Sequence, residues 1–243
     1  MILPKPQDAV YRGQLFRLLI EIVDNKVLSN SLVFKGGTCA TMLGYLDRFS
    51  VDLDFDILPG ADAIEIKIEL SKIFVQLGLI IKDQSTREIQ YKLGYKALEN
   101  QRNTLKLDVV GSVSEDDTTE VKLLPDIQRY MRCQTIETMF AHKLIAFKDR
   151  YNKHQRVAGR DIYDIYHFFI NGYSYNPKII EARTGKSPNQ YMVELLELME
   201  TIVTDEIITQ DLNPLLSSET FNQVRKSLRV EVISILNDEI QRT

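Results

Sequence analysis

The hydrophobic pattern of this chain changes period once, near Pro125, and that change restricts its architecture more than any other feature. Before it, short apolar runs and strict alternation are interleaved with helical stretches. From Thr135 onward nearly every segment repeats at helical spacing. In the first part, Leu15, Leu18, Leu19, Ile22 and Val23 describe an amphipathic helix over residues 8–28. Leu32-Val33-Phe34 reads as a buried strand ending at Gly36-Gly37-Thr38, with a helical run over 39–46. A strand over 51–58 stops at Pro59-Gly60, a helix over 61–77 stops at Gly78, and strands follow at 79–82, 89–98, 105–110 and near 121–124. The second part holds helices over 136–151, 161–171, 189–201 and 221–239. The third of these opens on the capping-box pattern Ser187-Pro188-Asn189-Gln190. The expected fold is α+β: a small mixed sheet with flanking helices over residues 1–125, then a C-terminal helical domain over 126–243.

The strand over 51–58 carries the first chemical signal. Val51, Leu53, Phe55 and Ile57 fall on one side, Asp52, Asp54 and Asp56 on the other. Residues i and i+2 of a strand share a face roughly 7 Å apart, so Asp52 and Asp54 can converge on hard divalent cations, which take oxygen ligands. A pair of such cations can clamp the attacking and leaving oxygens of an in-line phosphoryl displacement. Alone, the pattern more often marks the wet face of an edge strand. Two neighbours strengthen it. Lys35-Gly36-Gly37-Thr38 stands at a strand-to-helix junction, where glycines let backbone N–H groups approach a phosphate, although it is not a Walker A loop. Lys106-Leu107-Asp108-Val109-Val110 is a second alternating strand that offers a third carboxylate, Asp108.

Composition narrows the classes further. With 44% apolar and 26% charged residues the chain is an ordinary globular one. Cys39 and Cys133 are far apart in sequence and form no C-x-x-C pair, so neither a disulfide framework nor a cysteine zinc site is expected and a cytoplasmic location fits. His142, His154 and His167 lack zinc-ligand spacing. No signal-peptide pattern opens the sequence, and no apolar run approaches the ~20 residues of a membrane helix. The net charge of −4 means that a nucleic-acid acceptor would need a local basic patch. The stretch from Lys143 to Arg160 is the richest in cations, although such a stretch is ordinarily a solvated helix end and loop.

Taken in order, Gly37-Thr38, Asp52-x-Asp54 and Asp108 resemble the polymerase-β-type nucleotidyltransferase superfamily. More closely, KGGT-CATMLGYL-DRFSVDLDF, KLDVV, ETMFAHKLIAFKDR and GRDIYDIYHFF resemble the AbiEii/AbiGii toxin family, over residues 32–170. These are nucleotidyltransferase-like toxins of bacterial toxin–antitoxin and phage-defence systems. The resemblance implies transfer of NMP from an NTP to an acceptor, the tRNA 3′ end where known, a cognate antitoxin, and two Mg²⁺ (or Mn²⁺) ions held by Asp52, Asp54 and Asp108. Asp108 would also position or deprotonate the acceptor. Gly36, Gly37, Thr38 and Ser50 would line the nucleotide site, and in some relatives the equivalent of Ser50 is phosphorylated when an antitoxin is present.

In the helical part, Lys143 and Arg150 lie seven residues apart on one helix face, roughly 10 Å along the axis. They suit a triphosphate, or equally two snorkelling side chains on a wet face. Asp161, close to a helix start, and Asp164 flank an apolar stripe of Ile162, Ile165, Tyr166 and Phe169. The family resemblance makes Lys143 and Asp161 active-site residues, with Asp161 orienting Lys143 and with Arg150 and Asp164 beside them in the nucleotide site. It also implies that the helical domain closes a cleft over the first. Two other readings use the same residues: modification of a protein or small molecule by NTP-dependent transfer, and an inert module that binds nucleotide or a partner.

Overall fold

The structure is a computed structural model that describes residues 3–99 and 101–242. It falls into two compact units, residues 1–134 and 135–243. The first begins with α1 (Asp8–Asp24) and α2 (Lys26–Ser31). One continuous helix is expected here, but Asn25 breaks it. Its backbone is extended, and its side chain accepts from the N–H groups of Val27 and Leu28 at 3.0 and 3.1 Å, starting a new helix. Next come β1 (Leu32–Lys35), α3 (Gly36–Met42), β2 (Asp52–Ile57) and α4 (Ala63–Gln76). The unit closes with β3 (Ile80–Gln84), β4 (Ile89–Gly94), β5 (Thr104–Ser112), β6 (Thr119–Leu124) and β7 (Arg129–Gln134).

Among the described residues these strands form one seven-stranded mixed sheet in the order β3-β4-β5-β2-β1-β7-β6. β2 runs parallel to β5 and antiparallel to β1, and β7 runs parallel to β1. The division between units therefore falls after β7 rather than at Pro125, because β7 completes the sheet beside β1. One face of the sheet is apolar: Leu53, Phe55, Leu93, Leu105 and Leu107 are fully buried. Phe34 stacks on Phe55 at 5.1 Å, and Phe74 of α4 meets Tyr91 edge-on at 5.0 Å. The buried stripe of α1 (Leu15, Leu18, Leu19, Ile22) completes this core. The other face of the sheet is polar and carries the carboxylates.

Asp56 departs from simple alternation. It is 4% exposed, paired with Lys35, and accepts from Gln134 Nε2 at 2.8 Å. Lys35 also donates to the Val110 carbonyl at 3.0 Å. That bond lies where the β2–β5 register shifts, between Phe55 and Ile57. One ion pair thus ties together β1, β2, β5 and β7. Cys39 and Cys133, remote in sequence, also meet here. Both are buried and reduced, and burial, then the neighbouring Cys133, push the Cys39 thiol well up.

The second unit contains α5 (Ile136–His154), α6 (Gly159–Ile170), α7 (Pro177–Thr184), α8 (Pro188–Ile202), α9 (Asp205–Leu212), α10 (Ser218–Val224) and α11 (Leu228–Arg242). The capping box at Ser187 and Gln190 forms as expected. The helix expected over 221–239 is two helices, α10 and α11. Phe140 anchors the unit, with ring centroids of Phe169, Phe168 and Tyr175 at 4.7, 5.1 and 5.8 Å. No helix of the described residues is long and apolar enough to cross a membrane.

Removing one partner of a largely buried ion pair leaves the other charge uncompensated. Asp56→Ala is expected to lower stability by about 2–4 kcal/mol, measured as a lower midpoint in urea unfolding, with Asp56→Asn closer to the parent because it keeps an acceptor for Gln134.

Candidate active site

The parallel pairing of β2 with β5 sets the arrangement. Its register places Asp54 opposite Asp108 and Asp52 opposite Lys106. Direct partners on neighbouring strands point the same way, so Asp52, Asp54 and Asp108 share the polar face. Lys106 Nζ stands 3.8 Å from Asp52 Oδ1. Burial first, and then the charge of Asp52, push Asp108 above the usual carboxylate range, while Lys106 and Lys35 pull the other way. Mutual repulsion of this kind is what a cation between the acids would relieve. Among the described residues, however, no three His, Cys, Asp or Glu side chains converge closely enough to form a ready-made metal cluster. The donor chemistry suits a hard cation; a preformed three-carboxylate cage is absent.

The Gly36-Gly37 turn is built around these acids. Gly36 has φ +76°, and a Cβ there would sit 2.5 Å from Asp54 Oδ2. A Cβ on Gly37 would sit 2.6 Å from Arg48 Nη2 and 3.0 Å from Ser50 Oγ. Both glycines are thus needed for side chains of the R-F-S-x-D-x-D stretch to close against the turn, a requirement separate from any phosphate. Thr38 is fully buried. Its hydroxyl lies 2.9 Å from Ser50 Oγ and also bonds the Asp52 carbonyl, which pins β2 to α3. Ser50 is 6% exposed beneath it.

No spacing in the sequence assigns Arg48 a role, yet the residue is 3% exposed and its guanidinium flanks the turn. Lys35, Asp56 and Lys106 were also unassigned. The only sequence signal for these four was their place within or beside motifs already singled out.

In the helical unit the expected residues form a compact charge cluster. Lys143 Nζ lies 2.9 Å from both Asp161 Oδ1 and Asp164 Oδ2, and Arg150 Nε lies 3.0 Å from Asp161 Oδ2. Both acids are essentially buried, whereas the Lys143 side chain is 18% exposed. Asp164 is thus a fully buried counter-ion of Lys143. The start of α6 is fixed by Asp211, whose Oδ2 accepts from the Gly159 N–H at 2.7 Å. A Cβ on Gly159 would lie 2.9 Å from the Ile207 carbonyl, so the glycine of G-R-D-x-Y-D lets α9 approach. Within the basic stretch, Lys148 is paired with Glu194 and is thereby largely neutralised, as Lys143 and Arg150 are by their acids.

A family model described as "Nucleotidyl transferase AbiEii toxin, Type IV TA system" matches residues 17–227. No curated protein matches the chain. Among solved structures it resembles JHP933 from Helicobacter pylori, with a TM-score of 0.60 and 21% identity over 99% of this chain and 94% of that one. It also resembles an H. pylori structure described provisionally as a nucleotidyltransferase, with a TM-score of 0.60 and 21% identity over 98% and 96% of the two chains. At that identity the structural likeness supports the fold alone.

Burial alone would push Asp161 up, but Lys143 and Arg150 outweigh it and hold the carboxyl down from 3.8 to about 2. A depressed carboxylate stabilises the fold above its unfolded pKa and loses that contribution as pH falls through its folded one. Stability should therefore drop by about 2 kcal/mol between about pH 4 and pH 2 on account of this residue. Unfolding titrations of Asp161→Asn should lack that component of the acid limb.

Proposed function

We propose that this chain, which belongs to the AbiEii nucleotidyl transferase toxin family of type IV toxin–antitoxin systems, transfers a nucleoside monophosphate from an NTP to the 3′ end of an RNA, with tRNA as the acceptor. The observation that carries the reading is the register of β2 and β5, which gathers Asp52, Asp54 and Asp108 on one polar face beside the Gly36-Gly37 turn. Phosphoryl chemistry of this kind asks little of a protein beyond positioning and charge stabilisation, and the residues divide along those lines.

Asp52 and Asp54 are the groups that would hold divalent cations, Mg²⁺ or Mn²⁺, with Asp108 assisting. Mg²⁺ is ordinarily held by one or two carboxylates together with substrate phosphates, so a site lacking a preformed cage suits ions that arrive with the nucleotide. When bound, such ions supply charge neutralisation for the attacking and leaving oxygens. Asp108, whose proton affinity burial and Asp52 raise, would accept a hydrogen bond from the acceptor hydroxyl and take its proton. The Gly36-Gly37 turn and Thr38 hold the phosphate side of the nucleotide, with the Arg48 guanidinium beside them as a cation. Within the helical unit, Asp161 and Asp164 hold the ammonium group of Lys143 in one orientation, the cation that the family resemblance assigns to phosphate binding. The family implies a cognate antitoxin partner.

Incubation with NTP labelled on either the α- or the γ-phosphate, divalent cation and total RNA tests this reading. Label is expected on RNA from the α position only, and Asp54→Ala should reduce it by roughly a hundredfold or more. Transfer of the γ label, or full activity of Asp54→Ala, would overturn it.

A further inference from the structure

The polar face continues past Asp108 toward the edge of the sheet. There a cavity of about 310 Å³ is lined by Gln84, Gln90, Lys92, Lys106 and Asp108, among others. Lys92 and Lys106 are direct cross-strand partners. Like charges so placed repel, at a distance of about 5 Å between Cβ atoms. Their counter-ions are Asp83, 2.6 Å from Lys92, and Asp52, 3.8 Å from Lys106, and both lysine side chains remain more than half exposed. Lys82 stands at the irregularity of β3 between Ile81 and Asp83, and its side chain reaches the next row of this face, Gly94 opposite Thr104. It is draped over Gly94, where a Cβ would meet its Cε at 2.5 Å, and it donates to Asn103 Oδ1 and Thr104 Oγ1, each at 2.8 Å. Exposed pairs of this kind contribute little to folding, so stability does not account for three lysines gathered on one outer face.

We propose that this outer half of the polar face, across β5, β4 and β3, binds the phosphodiester backbone of the single-stranded end of a nucleic-acid acceptor through Lys82, Lys92 and Lys106. The inference rests on the reading of Asp52, Asp54 and Asp108 given above. Topology assigns the side: the Gly36-Gly37 turn follows β1 on one flank of β2, whereas Asp108 and the cavity lie on the other. The nucleotide phosphates and the acceptor would then approach the carboxylates from opposite flanks. Lysines that reach two successive rows of this face meet successive phosphates of one strand, and Gln90, opposite Asp108, offers its amide group to a base or sugar hydroxyl. The chain is acidic overall, at −4, so a local cationic track is what a polyanion requires to reach an acidic site.

The test is fluorescence anisotropy of a labelled single-stranded RNA with the full chain across a salt series, alongside equilibrium binding of NTP. Lys82→Gln and Lys92→Gln should each weaken RNA binding by about fivefold near 50 mM salt. Each should also reduce the slope of log K against log salt by about 0.7. NTP affinity and melting temperature should stay unchanged, and Lys92→Arg should restore binding. No RNA binding by the parent chain, an unchanged slope when Lys82→Gln and Lys92→Gln are combined in one chain, or an equal loss of NTP affinity would each overturn the proposal. Because binding needs no turnover, a chain that binds RNA through these lysines yet transfers no α label would fail the reaction assigned above while leaving this track in place.

Discussion

The parallel pairing of β2 with β5 is the contact on which the rest of the first unit depends. A slip of one residue would turn every side chain of β2 over, bringing Asp52 and Asp54 into the core and Leu53 and Phe55 out to water. Leu53, Phe55, Leu105 and Leu107, all fully buried, make that slip costly, and the Phe34–Phe55 stack fixes β2 from the other side. The hydrophobic core therefore specifies the chemistry indirectly. By burying one face it sets the register, and the register presents three carboxylates together on the other face.

Around that pairing the polar network is organised as struts. Lys35 and Asp56 hold the sheet where the β2–β5 register shifts, with Gln134 of β7 satisfying the remaining carboxylate oxygen. Thr38 ties the turn to the backbone of Asp52 and to Ser50. In the helical unit Asp164, fully buried, and Asp161 hold Lys143 between them, while Arg150 shares Asp161. Buried acids are tolerable there because each meets a cation at hydrogen-bond distance.

Much of this was legible in the residues. The alternation over 51–58 gave the strand and the side on which Asp52 and Asp54 lie, and the K-L-D stretch gave the strand that bears the third. The capping box gave the start of α8. What escaped has physical reasons. β7 has only six residues and a mixed pattern, and its place is decided by pairing with distant β1. The helices α7 and α9 have eight residues each, too short for periodicity. Asp56 looked like the next wet carboxylate, and only the spatial approach of Lys35 and Gln134 makes it a buried one. Cys39 and Cys133 looked unrelated for the same reason. Pairings between distant residues are set by tertiary structure, which local pattern does not report.

The account stands on the claim that Asp52, Asp54 and Asp108 act as one site for divalent cations that arrive with nucleotide. The most direct measurement is Mn²⁺ binding by electron paramagnetic resonance, with and without a non-reactive NTP analogue. The account predicts weak binding by the chain alone, two ions bound once the analogue is present, and loss of that gain in Asp52→Asn and Asp54→Asn. Equal Mn²⁺ uptake by the parent chain and by both variants in the presence of the analogue would contradict it.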